Sequence, residues 1–502
     1  MSSQRQSRRN FAKTVAAGAV AITLDTVNAD GSRCVLADTP GSASEGTWGN
    51  VSAAGGLSLP PHRRTTGTIS ADRSVFREAT RDVPVVDSAD VVVCGGGPAG
   101  IAAALEAARR GAKTRLLEVN GCLGGVWTAG ALALIIDWEN KPGIMREIGG
   151  QLQRLQAAHG ISGKSLVYDP ESMKLLLEGL LVEAGVAIQL HTRVVGATRG
   201  EKNRLTAVLT ESKSGRQCWL GRVFVDCTGD GDLAALAGCH FDLGLPETGV
   251  TQPMSLMALL AGPPIAAIAR FVRGEAGLRK LGNAKTNLLA EMRRAGVDPS
   301  YHQPTIFCIR DGLYAMMANH QYGALATDAA QVTRATIEAR REVNRLVDAL
   351  RSLGAPWRNL HLVATAEQIG TRAGRRIHGR YRLTADDLAR GATFPDAVCR
   401  VTFGVDVHST DARKTKGIEA KPFRSKPYDI PLRALIAQDV DGLMMAGRCI
   451  SGDFLAHSSY RVTGNAVAMG EAAGKVAALA ARKGRLPHEV AWEEAKSRRR
   501  SR

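Results

Sequence analysis

The stretch Asp90-Val-Val-Val-Cys-Gly-Gly-Gly-Pro-Ala-Gly100 constrains this chain more than any other. A β-branched run enters a glycine turn, and the turn opens a helix of small residues, Ile101 to Arg110. Gly95 permits the tight turn, Gly97 lets backbone approach a pyrophosphate, and Gly100 lets helix and strand pack closely. The helix N-terminus offers unpaired N–H groups and a positive dipole end to phosphates. A second short strand, Thr114 to Leu117, ends on Glu118, 23 residues after Gly95. A carboxylate there accepts hydrogen bonds from an adenosine ribose. The glycines alone would suit an ordinary buried strand–turn–helix. Strand, turn, helix and acid together predict a dinucleotide site.

The 502 residues suggest about two to four domain-sized units. A composition of 44% hydrophobic and 23% charged residues gives enough apolar mass for a large core. The formal charge is +17, partly from Arg5, Arg8, Arg9 and Lys13 and from Lys496-Ser-Arg-Arg-Arg-Ser-Arg502. A basic surface attracts anionic substrates, polysaccharide or nucleic acid. No nucleic-acid motif accompanies it, so nucleic acid is not expected as a partner, and the tail reads as a solvated end. The nine cysteines form no C-x-x-C pair and no ferredoxin-like run. Neither a disulfide framework nor a metal site is expected, and Cys94 and Cys227 read as inert core thiols.

Ser7-Arg8-Arg9-Asn10-Phe11-Ala12-Lys13 resembles the bacterial twin-arginine export motif. The apolar stretch after it, Thr14 to Leu24, is 11 residues long, too short for a bilayer and suited to a signal peptide. Val27-Asn-Ala29 is a candidate cleavage site. The expectation is export through the twin-arginine translocon to a periplasmic or other extracytoplasmic location, with cofactor loaded beforehand. A disordered basic leader is the alternative. No stable membrane span is expected elsewhere. Residues 30–84 are rich in Gly, Ser, Thr and Pro and read as a flexible linker.

Further on, Gly121-Cys-Leu-Gly-Gly-Val-Trp-Thr-Ala-Gly130 is a glycine-rich loop. Helices are expected near 143–157 and 170–184. Strands are expected at 187–190, 193–198, 205–210 and 218–225, the last two flanking a hairpin turn at Lys213-Ser-Gly215. Val223-Phe-Val-Asp-Cys-Thr-Gly-Asp-Gly-Asp232 repeats the pattern of an apolar strand ending in a glycine turn. After Thr251-Gln-Pro-Met-Ser255 the texture is more helical and charged, with helices expected at 265–295 and 328–353. Strand character returns at 401–407 and 442–446, and a last small-residue helix runs from Thr463 to about Ala481.

Taken as a set, Gly95-Gly-Gly-Pro-Ala-Gly100, Leu123-Gly-Gly125, Thr228-Gly-Asp-Gly-Asp232, Thr251-Gln-Pro-Met254, Gln368-Ile-Gly-Thr-Arg-Ala-Gly-Arg-Arg376, Pro427-Tyr-Asp-Ile-Pro431 and Ala446-Gly-Arg448 are informative. The chain resembles the FAD-dependent oxidoreductases of the glutathione-reductase-like flavin fold over about residues 85–482. It looks closest to an uncharacterised bacterial group loosely labelled xanthan-lyase-like, and is distantly similar to the flavin-carrying component of heterodisulfide reductase. The resemblance implies an α/β fold, a Rossmann-like doubly wound FAD domain with an inserted α+β substrate domain. The FAD domain would comprise 85–255 and 400–482, the insert 256–399, and 483–502 a basic tail. Gly95, Gly97, Gly100 and Glu118 would hold adenosine and pyrophosphate. Gly124 and Gly125 would pass near phosphates or ribitol, Val194 would meet adenine through its backbone, and Thr228 and Gly229 would sit by the pyrophosphate. Gly447 and Arg448 would approach the ribitol, with Asp453 a candidate for the carboxylate the family places there. Asn465 and Ala466 would open the helix whose dipole stabilises negative charge on the flavin.

Three absences narrow the chemistry. No cysteine pair follows the Leu-Gly-Gly turn, where Trp127 and Leu132 stand instead. No second G-x-G-x-x-G follows a strand, and no iron–sulfur ligand run exists. Electrons would pass to or from an external partner such as a quinone, a cytochrome or oxygen. The expected reaction is hydride exchange between a small polar substrate, a sugar or organic acid, and flavin N5. A flavin monooxygenase, or a non-redox lyase or binding protein with structural FAD, are the alternatives. Catalytic candidates are His457 as base, Tyr460 to polarise an oxygen, Arg461 to clamp a carboxylate, and Arg372 from the cluster Arg372, Arg375, Arg376. His457 and Tyr460 could equally just pack. Asp406-Val-His408 alternates so that both polar side chains share a face.

Overall fold

Val85–Cys94 lies at the middle of a seven-stranded mixed sheet in the computed structural model, which describes residues 66–161, 165–274, 283–420 and 423–497. It runs parallel to Thr114–Leu117 on one side and to Gly215–Asp226 on the other. Ala187–Gln189 extends the parallel array. Val91, Val92, Val93, Val223, Phe224 and Val225 are all fully buried, as expected of parallel strands covered on both faces. Gly215–Asp226 serves two neighbours on one edge. Its start pairs antiparallel with Leu205–Ser212, which pairs in turn with Arg193–Arg199. Its end pairs in parallel with Leu443–Met445, from near the other end of the chain. The expected hairpin closes where Ser212 faces Gly215.

Two helices of small residues cover this sheet, Pro98–Arg109 and Thr463–Lys483. They pack in the same direction, because Gly470 lies on Ala99 and Gly474 on Ala103. A methyl group at either glycine would collide with the backbone carbonyl opposite. The second helix begins seven residues before Gly470, so its N-terminus overshoots that of the first by about 10 Å along the axis. Helix Pro170–Glu183 forms as expected, with Pro170 at its first position and the Asp169 carboxylate accepting from Glu171 and Ser172 N–H.

A second sheet of four antiparallel strands runs in the order Thr305–Arg310, Leu313–Met317, Ala258–Ala261, His361–Thr365. Helix Ala329–Ser352, capped by Asp328, turns Ala335, Ala339, Val343, Leu346 and Leu350 inward at helical spacing. Leu260, Phe271, Leu346 and Trp357 share a separate apolar cluster there.

Several sequence expectations change. The helical stretch expected at 265–295 is a short helix Ile265–Ile268, a 3-10 turn Ala269–Phe271 and a separate helix Ala284–Arg294. The strand expected at 401–407 is Ala397–Val401, paired with Tyr428–Pro431. It ends there because the N–H groups of Thr402 and Phe403 turn to the buried Asp137 carboxylate, which also pairs with Lys141 at 3.1 Å. The stretch read as linker contains an antiparallel hairpin, Gly67–Ile69 with Phe76–Glu78. The segment 483–502 read as a basic tail carries helix Trp492–Lys496, which buries Ala495, while residues 498–502 of the end read as solvated lie outside the described residues. The expected signal peptide, residues 1–29, lies outside the described residues. Among the described residues no helix is long and apolar enough to cross a membrane.

Two substitutions separate packing from propensity. Gly470→Val should destabilise by about 2–3 kcal/mol through overpacking against Ala99. Gly179→Ala, at an exposed helical site with open space around the added methyl, should stabilise by about 0.5–1 kcal/mol. Denaturant midpoints at constant m-value measure both.

Candidate functional site

The glycine turn behaves as its spacing predicts. Gly95 has φ +100° and its N–H donates to Leu117 O at 2.8 Å, while any side chain at Gly100 would collide with Gly95 O. Gly97 differs. It caps helix Pro98–Arg109 with φ −72°, and an added Cβ meets nothing within 4 Å. Neither backbone conformation nor protein packing demands glycine at 97, and the open space there leaves room for a ligand to approach the backbone. Glu118 is buried at the tip of its strand and accepts from Gly96 N–H and, at 2.7 and 2.8 Å, from the backbone and side chain of Asn120. Burial pushes its carboxyl up, and these amides oppose the shift. The Leu123-Gly-Gly125 loop folds onto the same turn, with Gly124 N–H donating to Gly96 O at 2.8 Å. Val194 sits in strand Arg193–Arg199 opposite Thr210.

The second glycine turn is organised by Asp226, fully buried at a strand end. Its carboxylate accepts from Thr228 N–H at 3.0 Å, Thr228 Oγ1 at 2.7 Å and Ala234 N–H at 2.8 Å. Burial pushes it up to about 6. Gly229 lies against the Arg448 guanidinium. Arg448, next to Gly447, pairs with Asp230 at 2.7 Å. The carboxylate beside the Gly447-Arg448 turn is therefore Asp230. Asp453 is a correction: its two oxygens accept from Ala456 and Ala385 N–H, each at 2.7 Å, and cap helix Phe454–Tyr460.

The residues present suit a long dinucleotide. Two parallel helix N-termini stand staggered at one edge, and unpaired buried polar atoms of Arg461 and Asn465 flank the start of the second. Asn465 is fully buried, and its Nδ2 has no hydrogen-bond partner among the described residues. The same is true of Arg461 Nε, Trp127 Nε1 and both ring nitrogens of His457. Buried polar atoms are rarely left unmet, so a polar ligand edge here would answer a deficit. Ala466 follows Asn465 in the first turn of the helix, buried like it. Trp127 packs edge-on to Tyr168 at 6.3 Å.

The proposed catalytic residues separate into two places. His457 and Tyr460 are fully buried and meet edge-on at 5.5 Å. The Tyr460 hydroxyl donates to Ile450 O at 2.9 Å, a structural bond. Burial and the guanidiniums of Arg376, Arg461 and Arg448 hold His457 well below the ordinary histidine range, so it is neutral and a weaker base than a free imidazole. The basic cluster at 372–376 disperses. Arg375 pairs with Asp232 at 2.8 Å, and Arg376 donates to Gly452 O and Gly244 O. Arg372 donates to Pro253 O at 2.6 Å and Ser255 Oγ at 2.9 Å.

Arg461 meets Asp406, and Arg372 acts on the same carboxylate electrostatically. Arg461 Nη2 donates to Asp406 O at 2.9 Å and lies 3.5 Å from Asp406 Oδ2. Asp406 and His408 do share a face, with His408 Nε2 3.3 Å from Asp406 Oδ2. Burial opposes the Asp406 charge, but His408, Arg461 and Arg372 outweigh it and hold the carboxyl below its ordinary range. Gln252 of the Thr251-Gln-Pro-Met254 motif ties this group together: its Oε1 accepts from His408 N–H at 2.9 Å and Arg461 Nη2 at 3.3 Å, and its Nε2 donates to Ser458 Oγ at 3.0 Å. Sequence reading missed His320, Tyr301, Tyr322, Arg273 and Lys285. His320 Nε2 lies 2.9 Å from His408 Nδ1, and Tyr301 lies on His320 at 4.1 Å between ring centres. Arg273 and Lys285 act electrostatically on Asp406 from the second sheet's side. The available signal was Asn319-His320-Gln321, three consecutive polar residues just after an apolar strand, all buried here.

Substitutions at neighbouring glycines should part. Gly97→Val should leave the flavin-free fold within about 1 kcal/mol of the parent, yet weaken FAD binding at least tenfold, about 1.4 kcal/mol. Gly100→Val should fail to fold. Flavin titration and thermal melts distinguish these outcomes.

The model of the FAD dependent oxidoreductase family matches residues 90–498. Among curated proteins, dihydrolipoyl dehydrogenase of Caenorhabditis elegans is 45% identical over 62 residues, 12% of each chain. Urocanate reductase of Eggerthella lenta is 35% identical over 117 residues, 21% of this chain and 18% of that one. Thiamine thiazole synthase of Metallosphaera sedula is 29% identical over 177 residues, 33% and 61% of the two chains. These matches thus span less than two thirds of each relative's length. Among solved structures, a geranylgeranyl bacteriochlorophyll reductase-like protein of Thermoplasma acidophilum aligns at TM-score 0.43 and 13% identity, covering 79% of this chain and 80% of the other. With the family model spanning the glycine turn, the Asp226 turn, the Asp406 cluster and the Thr463 helix, this chain belongs to the FAD dependent oxidoreductase family.

Proposed function

We propose that the enzyme oxidises or reduces a small polar substrate carrying a carboxylate, an organic acid, by hydride exchange, with electrons passing to or from an external redox partner. One observation carries the substrate class. Arg461 lies 3.5 Å from the Asp406 carboxylate, and Arg372, Arg273 and Lys285 act on that same carboxylate electrostatically. Excess positive charge in a desolvated cleft is costly until an anion enters, and guanidiniums fit carboxylates in two-point fashion. A sugar would leave that charge uncompensated. Bound FAD supplies the two-electron chemistry at its ring. Gly97, Glu118, Thr228, Gly229, Arg448 and Asn465 are the residues that would hold it.

The chain's own residues supply the rest. Arg372 and Arg461 orient the anion. Neutral His457 and the His320–His408 pair stand ready to hold or pass a proton. Packing by Tyr301 and the Gln252 network keeps the group rigid. Transfer to an outside partner accords with the absence of a second glycine fingerprint and of a cysteine pair after Gly125. The buried, high-pKa thiols of Cys94 and Cys227 offer no dithiol chemistry. Export is proposed from Arg8-Arg9 and the apolar stretch after it alone.

Anaerobic mixing with a panel of hydroxy acids, unsaturated acids and neutral sugars tests this reading. Acids should change the flavin's visible band, whether bleaching the oxidised protein or recolouring the reduced one, and neutral sugars should not. A response to sugars alone would overturn it. Arg372→Gln should raise KM for a responsive acid about 10- to 100-fold, as loss of a charged hydrogen bond predicts, and move binding of a neutral analogue less than about threefold.

A further inference from the structure

Asp406, His408, His320 and Tyr322 form an unbroken line. His408 Nε2 lies 3.3 Å from Asp406 Oδ2, His320 Nε2 lies 2.9 Å from His408 Nδ1, and the Tyr322 hydroxyl lies 3.2 Å from His320 Nδ1. Its polarity follows from chemistry. An ionised carboxylate only accepts, so His408 carries its proton on Nε2. Its Nδ1 is then bare and must accept, so His320 carries its proton on Nε2. His320 Nδ1 is bare in turn, and Tyr322, whose hydroxyl also lies 3.4 Å from Ser300 O, donates to it across the shorter 3.2 Å. Every donor points toward Asp406. The two imidazoles are buried, whereas Tyr322 at one end and the Asp406 side chain at the other, 23% exposed, are partly exposed.

We propose that these four residues are a directional proton relay, with the Tyr322 hydroxyl as its outer end and His408 as the place where a proton is held against Asp406. The proposal rests on the junction being the substrate site. A donor bonded to Tyr322 gives its proton to the phenol oxygen while the phenol proton passes to His320 Nδ1. The His320 Nε2 proton passes to His408 Nδ1. At Tyr322 and His320 one bond to hydrogen forms and one breaks, and at His408 Nδ1 a bond forms while the Nε2 proton stays. The donor keeps its electron pair, and the positive charge rests on His408 opposite the Asp406 carboxylate. No oxidant or reductant takes part. His408 and His320 are positioning residues that act through Tyr322.

The surrounding charges make the relay responsive to substrate. Arg372 and Arg461 act electrostatically on both imidazoles, Tyr301 lies tilted against them, and Arg273 and Lys285 act on Asp406. Glu342 and Asp411 bear on Tyr322. In the free site, burial first and then Arg372 push His408 down to about 3, against the pull of Asp406. An anion that neutralises Arg372 and Arg461 removes part of that opposition, so anion binding and proton uptake are linked, each favouring the other.

Nitrogen-15 NMR of histidine-labelled, full-length holoenzyme, with the two signals assigned through His320→Gln and His408→Gln, tests the polarity. Both rings should be neutral and carry the proton on Nε2. A ring protonated on Nδ1, or an imidazolium at neutral pH, overturns the relay. Malonate serves as the anion probe. Calorimetry near pH 5, below histidine's usual pKa of about 6.5, in two buffers of unlike ionisation enthalpy should show net proton uptake on binding. His408→Gln should bind malonate without uptake. Tyr322→Phe should keep the uptake but slow it at least tenfold in stopped-flow with a pH indicator. Binding without uptake in the parent, or unchanged kinetics in Tyr322→Phe, overturns the relay. No malonate binding at all overturns the anionic substrate site, while the NMR result still decides the polarity.

Discussion

The contact between helices Pro98–Arg109 and Thr463–Lys483 governs the architecture. Glycines at 470 and 474 let the second helix rest on the backbone of Ala99 and Ala103. That closeness fixes two things together. It sets Leu443–Met445 beside Phe224–Asp226, completing the parallel sheet, and it brings two positive helix ends to one edge with a stagger of about 10 Å. A compact nucleotide would need one such end; two staggered ends suit an extended ligand. The orphaned amide of Asn465 and the open space at Gly97 are local signs of the same design.

Around that frame, buried or half-buried carboxylates rather than regular pairing control the loops. Asp226 shapes the second glycine turn, Asp137 ends the strand at Val401, and Asp453 caps the helix carrying His457 and Tyr460. Each satisfies two or more N–H or O–H donors that a ladder would otherwise take up. The loop leading to Asp406 and His408 is thereby held without being a strand, leaving their side chains available to Arg461 and His320.

The cofactor half of the site was legible in the sequence because it is written in local rules. A β-branched run, glycines at set spacing and an acid one strand later determine their own geometry within some 30 residues. Asp406 and His408 were half legible, since alternation predicts a shared face whatever the backbone does next. The partners across the junction were not. His320, Tyr322, Arg273 and Lys285 come from segments whose approach depends on how the second sheet docks, and no local period records that. The Arg372–Arg376 run misled in the opposite sense: adjacency in sequence suggested a cluster, but a strand at Arg376–Ile377 and a turn before it send the three guanidiniums to three destinations.

The split origin of the parallel sheet has a kinetic consequence. Val85–Cys94 and the glycine turn leave the ribosome some 350 residues before the strand and helix that complete their edge. Pairings of such sequence separation close late. A nascent chain therefore exposes a β-branched edge beside Phe224–Asp226 until Leu443–Met445 has been synthesised. Assembly of the nucleotide cradle waits for residues 443–483, and a product truncated before residue 443 would carry the whole glycine fingerprint yet lack the second helix end.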